Sequence, residues 1–188
     1  MPATITEAEL NLCCHKATLC KGVRSLHAIV RRSAAELELT FQLDADLSLI
    51  RLSATSGSAD ATRLWQHTCF EAFVMVEGQY GYHEFNFAPS QEWRVYAFRG
   101  YRNSTPLTNV IQTPRIVVRT QAHWFELETH ILLADLSAVH SGAPLRLALS
   151  AVIESDNGQL SFWALHHPSE KPDFHHPEAF GLRLEAPR

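Results

Sequence analysis

The chain has 188 residues and a formal net charge of −4, with 46% hydrophobic and 19% charged residues. These values suit one globular domain over residues 1–188 with a sizeable core, and they argue against a largely disordered polymer. The 16 Lys and Arg are scattered and outnumbered by 20 Asp and Glu, so the basic stripe of a nucleic-acid binder is missing, and no apolar run approaches the ~18 residues of a membrane helix.

In chain order, MPATITEAELNLCCHKA carries two glutamates and no apolar run of signal-peptide length, which leads us to expect a cytoplasmic protein. Cys13, Cys14, Cys20 and Cys69 form neither a CxxC pair nor a disulfide framework and read as free thiols. In AELELTFQLD, Leu37, Leu39, Phe41 and Leu43 alternate with Glu36, Glu38, Thr40 and Gln42, the period of a half-buried strand. The same alternation occurs at 82–87, 123–131 and 145–153, and no comparable stretch has a helical period. Asp156, Asn157 and Gly158 read as a type I′ hairpin turn. About ten or eleven strands are expected between Ala17 and Leu184, in an all-β, jelly-roll-like β-sandwich. Residues 55–63 and 100–114 read as long loops, where binding groups tend to sit.

Residues 65–102 carry the most information. A turn near Glu77–Tyr80 pairs residues whose numbers sum to about 155–158, and only an odd sum sets Phe70, Ala72 and Val74 against Phe85 and Phe87. A second turn near Pro89–Gln91 then sets Phe85 beside Val95 and Phe87 beside Trp93. The opposite face displays Glu71, Tyr82, Glu84, Asn86, Arg94 and Tyr96 among Phe73, Met75 and Phe98. Aromatic rings mixed with carboxylates, an amide and a guanidinium suit a sugar, whose C–H faces lie on rings while the polar groups hold its hydroxyls. An internally satisfied buried polar layer fits the same composition.

The segment WALHHPSEKPDFHH (163–176) holds His166, His167, His175, His176 and Asp173. Adjacent histidines on extended backbone point to opposite sides, so the spacing is a poor metal signature, and Pro168, Pro172 and Pro177 brace the segment as an ordered crossing. We therefore expect no metal there. No GxSxG, Gly-rich phosphate loop or HExxH occurs. Glu71 and Glu84 could form a carboxylate pair for glycoside chemistry, or could be held by an arginine; we expect binding rather than catalysis.

The strings LWQHTCFEAFV, YHEFNFAPSQEWRVYAFRGYR and FWALHHPSEKPDFHH resemble bacterial DOMON-like proteins related to family 9 carbohydrate-binding modules. The resemblance covers 64–102 and 162–176 and implies a β-sandwich that binds sugars in some branches and haem in others. In the sugar-binding modules a tryptophan, and a glutamate six positions later, hold a terminal sugar; Trp65 and Glu71 match that spacing. A second aromatic completes the site there, with Trp163 and Phe174 as candidates here. Haem would need an axial methionine, and Met75 reads as gap-filling core. Related modules also carry calcium on a loop.

The expectation is thus non-covalent binding of a small saccharide or saccharide-like metabolite. Trp65 and Tyr96 would stack, Glu71 and Glu84 accept hydroxyl protons, Asn86 and Arg94 fix ring oxygens, and Trp163, Asp173, Phe174 and His175 form a wall. No cofactor is expected. The alternative is a structural or protein-interaction sandwich with no small ligand, self-associating through a sheet edge or its aromatic loop.

Overall fold

The computed structural model describes residues 6–18, 22–52 and 63–187. Met1, Cys20 and most of the expected loop at 55–63 lie outside the described residues. Twelve antiparallel strands form among them: β1 (Thr6–Cys14), β2 (Val23–Arg32), β3 (Glu36–Ala45), β4 (Cys69–Val76), β5 (Tyr82–Phe87), β6 (Trp93–Phe98), β7 (Ser104–Thr105), β8 (Arg115–Gln121), β9 (Trp124–Leu132), β10 (Leu145–Glu154), β11 (Leu160–Ala164) and β12 (Leu182–Leu184). Eleven of them lie between Ala17 and Leu184, as expected, and β1 adds a twelfth before that range, where TEAELNLC at 6–13 already alternates apolar and polar residues. Two short helical turns, α1 (Leu133–Leu136) and α2 (Ala138–Gly142), link β9 to β10 where no helix was foreseen. At four and five residues they are too short to show a period.

The strands follow the order β7-β6-β5-β4-β10-β11-β1-β2-β3-β9-β8, with β12 also pairing β10. β1 is the seam. Its residues from Thr6 to Leu12 pair with β2, while Cys13 and Cys14 pair with Ala164 and Trp163 of β11, so one continuous sheet curls into two facing layers. Period-two alternation fills the space between them. Leu37, Leu39, Phe41 and Leu43 of β3 point inward, as do Phe70, Ala72 and Val74 of β4 and Leu145, Leu147, Leu149, Ala151 and Ile153 of β10. Phe70 meets Phe41 at 5.3 Å and stacks on Phe125 at 5.4 Å, joining the layers.

The hairpins set the register of the layer that matters for function. Phe70 lies opposite Phe87, Glu71 opposite Asn86, Phe85 opposite Val95 and Phe87 opposite Trp93, as the odd sum required. The turn after Ala88 closes through Gln91 N–H to Ala88 O at 2.9 Å and Ala88 N–H to Glu92 O at 2.9 Å, with Gln91 at φ 69°. The turn at Asp156–Gly158 has the same pattern: Gly158 N–H donates to Ser155 O and Ser155 N–H to Gln159 O. Gly158 has φ 84° and Asn157 is not left-handed, so this is a three-residue loop ending in a bulge, not a type I′ turn. The extra residue allows the first two positions to stay right-handed, and only Gly158 needs the freedom of glycine.

One side chain ties the far end together. Arg32 is fully buried and donates to four carbonyls: Leu184 at 3.1 Å, Glu185 at 2.9 Å, His140 at 3.0 Å and Ala143 at 2.6 Å. It links β2, β12 and the end of α2. Burial depresses its basicity, but the cation gathers oxygens that the short elements would otherwise leave bare.

Candidate functional site

The outer face of the β6–β5–β4–β10–β11 layer carries the site. Strand alternation sends Cys69, Glu71, Phe73 and Met75 away from the core, and the register lines them up in rungs. One rung reads Ala164, Ser150, Glu71, Asn86, Arg94; the next reads Ala148, Phe73, Glu84, Tyr96. Glu71 and Glu84 are therefore diagonal neighbours on adjacent strands.

Two segments roof this face. A short 3₁₀ turn, Leu64–Gln66, buries Leu64 against Cys69 and Ala88, which leaves Trp65 45% exposed beside the face. From the other end, the chain after β11 crosses back over the sheet. His175 enters the face there, its ring 5.1 Å from those of Phe73 and Phe98. Asp173 latches the crossing to the turn between β6 and β7, accepting from Tyr101 Oη at 2.8 Å, Arg102 Nη2 at 2.8 Å and His175 N–H at 3.2 Å. Arg102 sits at φ 51° in that turn, a strained conformation for a side chain with a Cβ, and its N–H reaches Tyr82 Oη at 3.2 Å.

Between roof and sheet lies a cavity of about 610 Å³, within the range of small-molecule pockets. Six of the ten expected residues line it: Trp65, Glu71, Glu84, Tyr96, Phe174 and His175. The other four take different positions. Asn86 is fully buried behind Glu84 and donates Nδ2–H to its Oε1 at 2.8 Å, so it orients the carboxylate. Arg94 lies beside Asn86 on the sheet but donates to the Trp93 carbonyl at 2.6 Å and does not line the cavity. Asp173 is the latch. Trp163, expected as a wall, pairs with Ala151 on the inward face and lies in the core, its Nε1–H on Ser161 Oγ at 3.0 Å.

Its neighbour Phe162 takes the outward place and lines the cavity with Phe174, the ring centres 6.0 Å apart. Pairing of β11 with β10 would have shown this, since Phe162 sits opposite Val152, which also lines the cavity. Phe98, Arg63, Arg102, Ser104 and Pro172 complete it. Arg63, Arg102 and Pro172 come from loops and Ser104 from the two-residue β7, whose placement has no periodic signal.

Electrostatics set the floor apart. Burial pushes the Glu71 carboxyl well above the usual carboxylate range, the neighbouring Glu84 pushes the same way, and a 3.3 Å hydrogen bond from Ser150 Oγ opposes both. Burial also raises Glu84, against the Asn86 amide and the Arg102 charge. The pair thus retains a proton to higher pH than an exposed glutamate would. It can offer one hydroxyl donor and one charged acceptor side by side.

Burial, followed by the Arg102 charge, lowers His175 to about 4. A neutral ring satisfies its surroundings: Tyr82 Oη accepts from Arg102 N–H and donates to His175 Nδ1 at 2.8 Å, leaving Nε2–H 3.5 Å from Glu84 Oε2. This depression has a measurable consequence. A histidine lowered on folding contributes stability that is present above its unfolded value of about 6.5 and is lost as pH falls through about 4. His140, also lowered to about 4, adds to the same loss. As pH falls across that window His175→Gln is expected to gain melting temperature relative to wild type; an unchanged difference between the two would contradict the assignment.

The remaining histidines of the C-terminal segment have separate tasks. His167 Nε2 bonds the Cys13 carbonyl at 2.8 Å, and His176 caps the 3₁₀ turn at Pro177 by accepting from Glu178 N–H at 3.2 Å. Among the described residues no three His, Cys, Asp or Glu side chains gather into a group that could hold a metal. Met75 packs against the Phe73 and Tyr82 cluster.

The layered sheet is similar in fold to carbohydrate-binding modules of family 9 and to a bacterial protein proposed to bind carbohydrate. A protein from Bacteroides uniformis proposed to bind carbohydrate superposes with a TM-score of 0.65 at 18% identity, over 96% of this chain and 86% of that one. A family 9 module from Caldicellulosiruptor kristjanssonii in complex with glucose gives 0.61 at 4% identity, over 94% and 83%. The cellotriose complex of a family 9 module from the same organism gives 0.55 at 6%, over 91% and 76%. The sequence matches no family model and no curated protein. At these identities the likeness establishes a shared fold.

Proposed function

We propose that this protein binds a small saccharide, or a metabolite of similar shape, non-covalently in the cavity between the sheet and its roof. One observation carries the reading: a half-exposed tryptophan stands beside an open cavity floored by two buried carboxyls that lack a full set of partners. A purely structural polar layer would be closed and satisfied. Here Trp65 offers a flat ring for the C–H face of a sugar, and Glu71 and Glu84 offer directional contacts for its hydroxyls. The saccharide ligands of the structural neighbours support the choice of class. Kinship with DOMON-like proteins, suggested by the motifs, belongs to the same proposal.

The test is titration of tryptophan fluorescence with a panel of mono- and disaccharides, in wild type and in Trp65→Ala. The variant is expected to bind roughly tenfold or more weakly while melting within about 2 °C of wild type, since truncating a half-exposed turn residue removes stacking more than core. A panel in which no sugar changes fluorescence or melting temperature would overturn the reading.

A further inference from the structure

We propose that the saccharide taken by this cavity carries a protonated amine, seated between Glu71 and Glu84 while its ring lies against Trp65; the proposal rests on the saccharide reading above. Glu71 is 3% exposed, and its hydrogen bonding is limited to Ser150 Oγ at 3.3 Å. A carboxylate has about four acceptor positions, so most of its capacity faces the cavity unused. Glu84 receives Asn86 Nδ2–H at 2.8 Å and has the neutral ring of His175 at 3.5 Å.

Among the described residues no cationic side chain hydrogen-bonds to either acid. Arg102 turns its guanidinium to Asp173, and neither it nor Arg63 hydrogen-bonds to Glu71 or Glu84. The described charged groups around the cavity, Arg63, Arg102, Asp173, Glu71 and Glu84, leave one negative charge when both glutamates are ionised. Burial raises both acids, so the pair holds a proton to higher pH than an exposed glutamate would, which offsets that charge. A ligand ammonium would take the proton's place and bring three donors to acceptors that lack them. The rings of Trp65, Tyr96, Phe98, Phe162 and Phe174 line the same cavity, and aromatic faces attract a cation. A neutral sugar supplies donors but no charge, and charge attraction in a partly dry site exceeds a neutral hydrogen bond severalfold.

Calorimetric titration of the full chain at about pH 6.5, where a sugar amine is protonated, with glucosamine, glucose and N-acetylglucosamine decides the matter. Glucosamine is expected to bind roughly tenfold or more tightly than the other two. Its heat should vary with the ionisation enthalpy of the buffer as the pair releases its proton. In Glu71→Gln, and separately in Glu84→Gln, the preference should shrink to within about threefold. Equal or tighter binding of glucose or N-acetylglucosamine overturns the amine proposal and leaves the saccharide reading standing. If glucosamine fails to bind, the proposal falls, and the saccharide reading falls with it only when the neutral sugars fail as well.

Discussion

Glu71→Gln is expected to make the protein more stable and to cost it most of its ligand affinity. Glu71 is almost wholly buried, with a single 3.3 Å hydrogen bond and a second carboxyl beside it, so its charged form is disfavoured in the folded state. A carboxyl raised on folding contributes stability that is full below its unfolded value, near 4.5, and lost as pH rises through the folded value. Glutamine escapes that loss. The variant should match wild type under acid conditions and exceed it increasingly toward alkaline pH, by about 1–2 kcal/mol or roughly 3–6 °C for a chain of this length. Affinity should fall about ten- to a hundredfold, the value of one or two hydrogen bonds to a charged acceptor. Thermal melts at several pH values with and without ligand measure both effects. A variant less stable than wild type at pH 8 would show that Glu71 is a structural partner, not a binding group held at a cost to the fold.

Arg32→Met is expected to have the opposite character, a large loss of stability with no direct effect on the cavity. Its guanidinium donates to the carbonyls of Leu184, Glu185, His140 and Ala143. Methionine fills much of the space but leaves all four without that donor, a loss on the order of 3–5 kcal/mol, or about 10 °C. β12 pairs with three residues of β10, holds Glu77 through Arg183 and packs Leu184 into the core, so loss of the clamp should speed exchange of its amides without freeing it altogether. Hydrogen exchange over 182–185 and a denaturant melt check the claim. A loss below about 1 kcal/mol would mean that water replaces the arginine, and the clamp would lose its standing.

The contrast between these two residues shows what can be read from a linear chain. Glu71 lies in a strand whose residues alternate in facing, so its face followed from Phe70 and Ala72 pointing inward; the odd register narrowed its partner to Glu84 or Asn86, and the structure pairs it with Asn86. Arg32 closes β2, where it reads as one more charged residue after Arg31. Its burial depends on carbonyls more than 100 residues away, and no local pattern reports them.

The same division runs through the site. Glu71, Glu84 and Tyr96 could be placed together because they lie in consecutive hairpins, where pairing is local and a one-residue slip would turn the apolar set outward, while Trp65 joined them through the resemblance. Phe174 and His175 were expected at the cavity wall on the strength of resemblance and loop chemistry, and they line it. Trp163 failed because its face depends on how β11 pairs with β10, whose other face is set by β4. Arg94 was assigned to the correct face, yet its side chain turns to the Trp93 carbonyl, a rotamer choice that alternation does not encode.

WALHHPSEKPDFHH holds both kinds of information. Composition and spacing in the sequence were enough to make it a braced crossing, because prolines restrict the backbone and adjacent histidines on extended chain diverge. That His175 turns into the cavity and not away from it was decided by tertiary structure alone. Asp173 had to meet Arg102 and Tyr101 across the roof before His175, two residues on, could reach Tyr82 and Glu84. Strand faces are a property of neighbouring residues and so are written locally. A pocket is closed by segments that meet only after the sheet has curled, and its closure is a property of the whole fold.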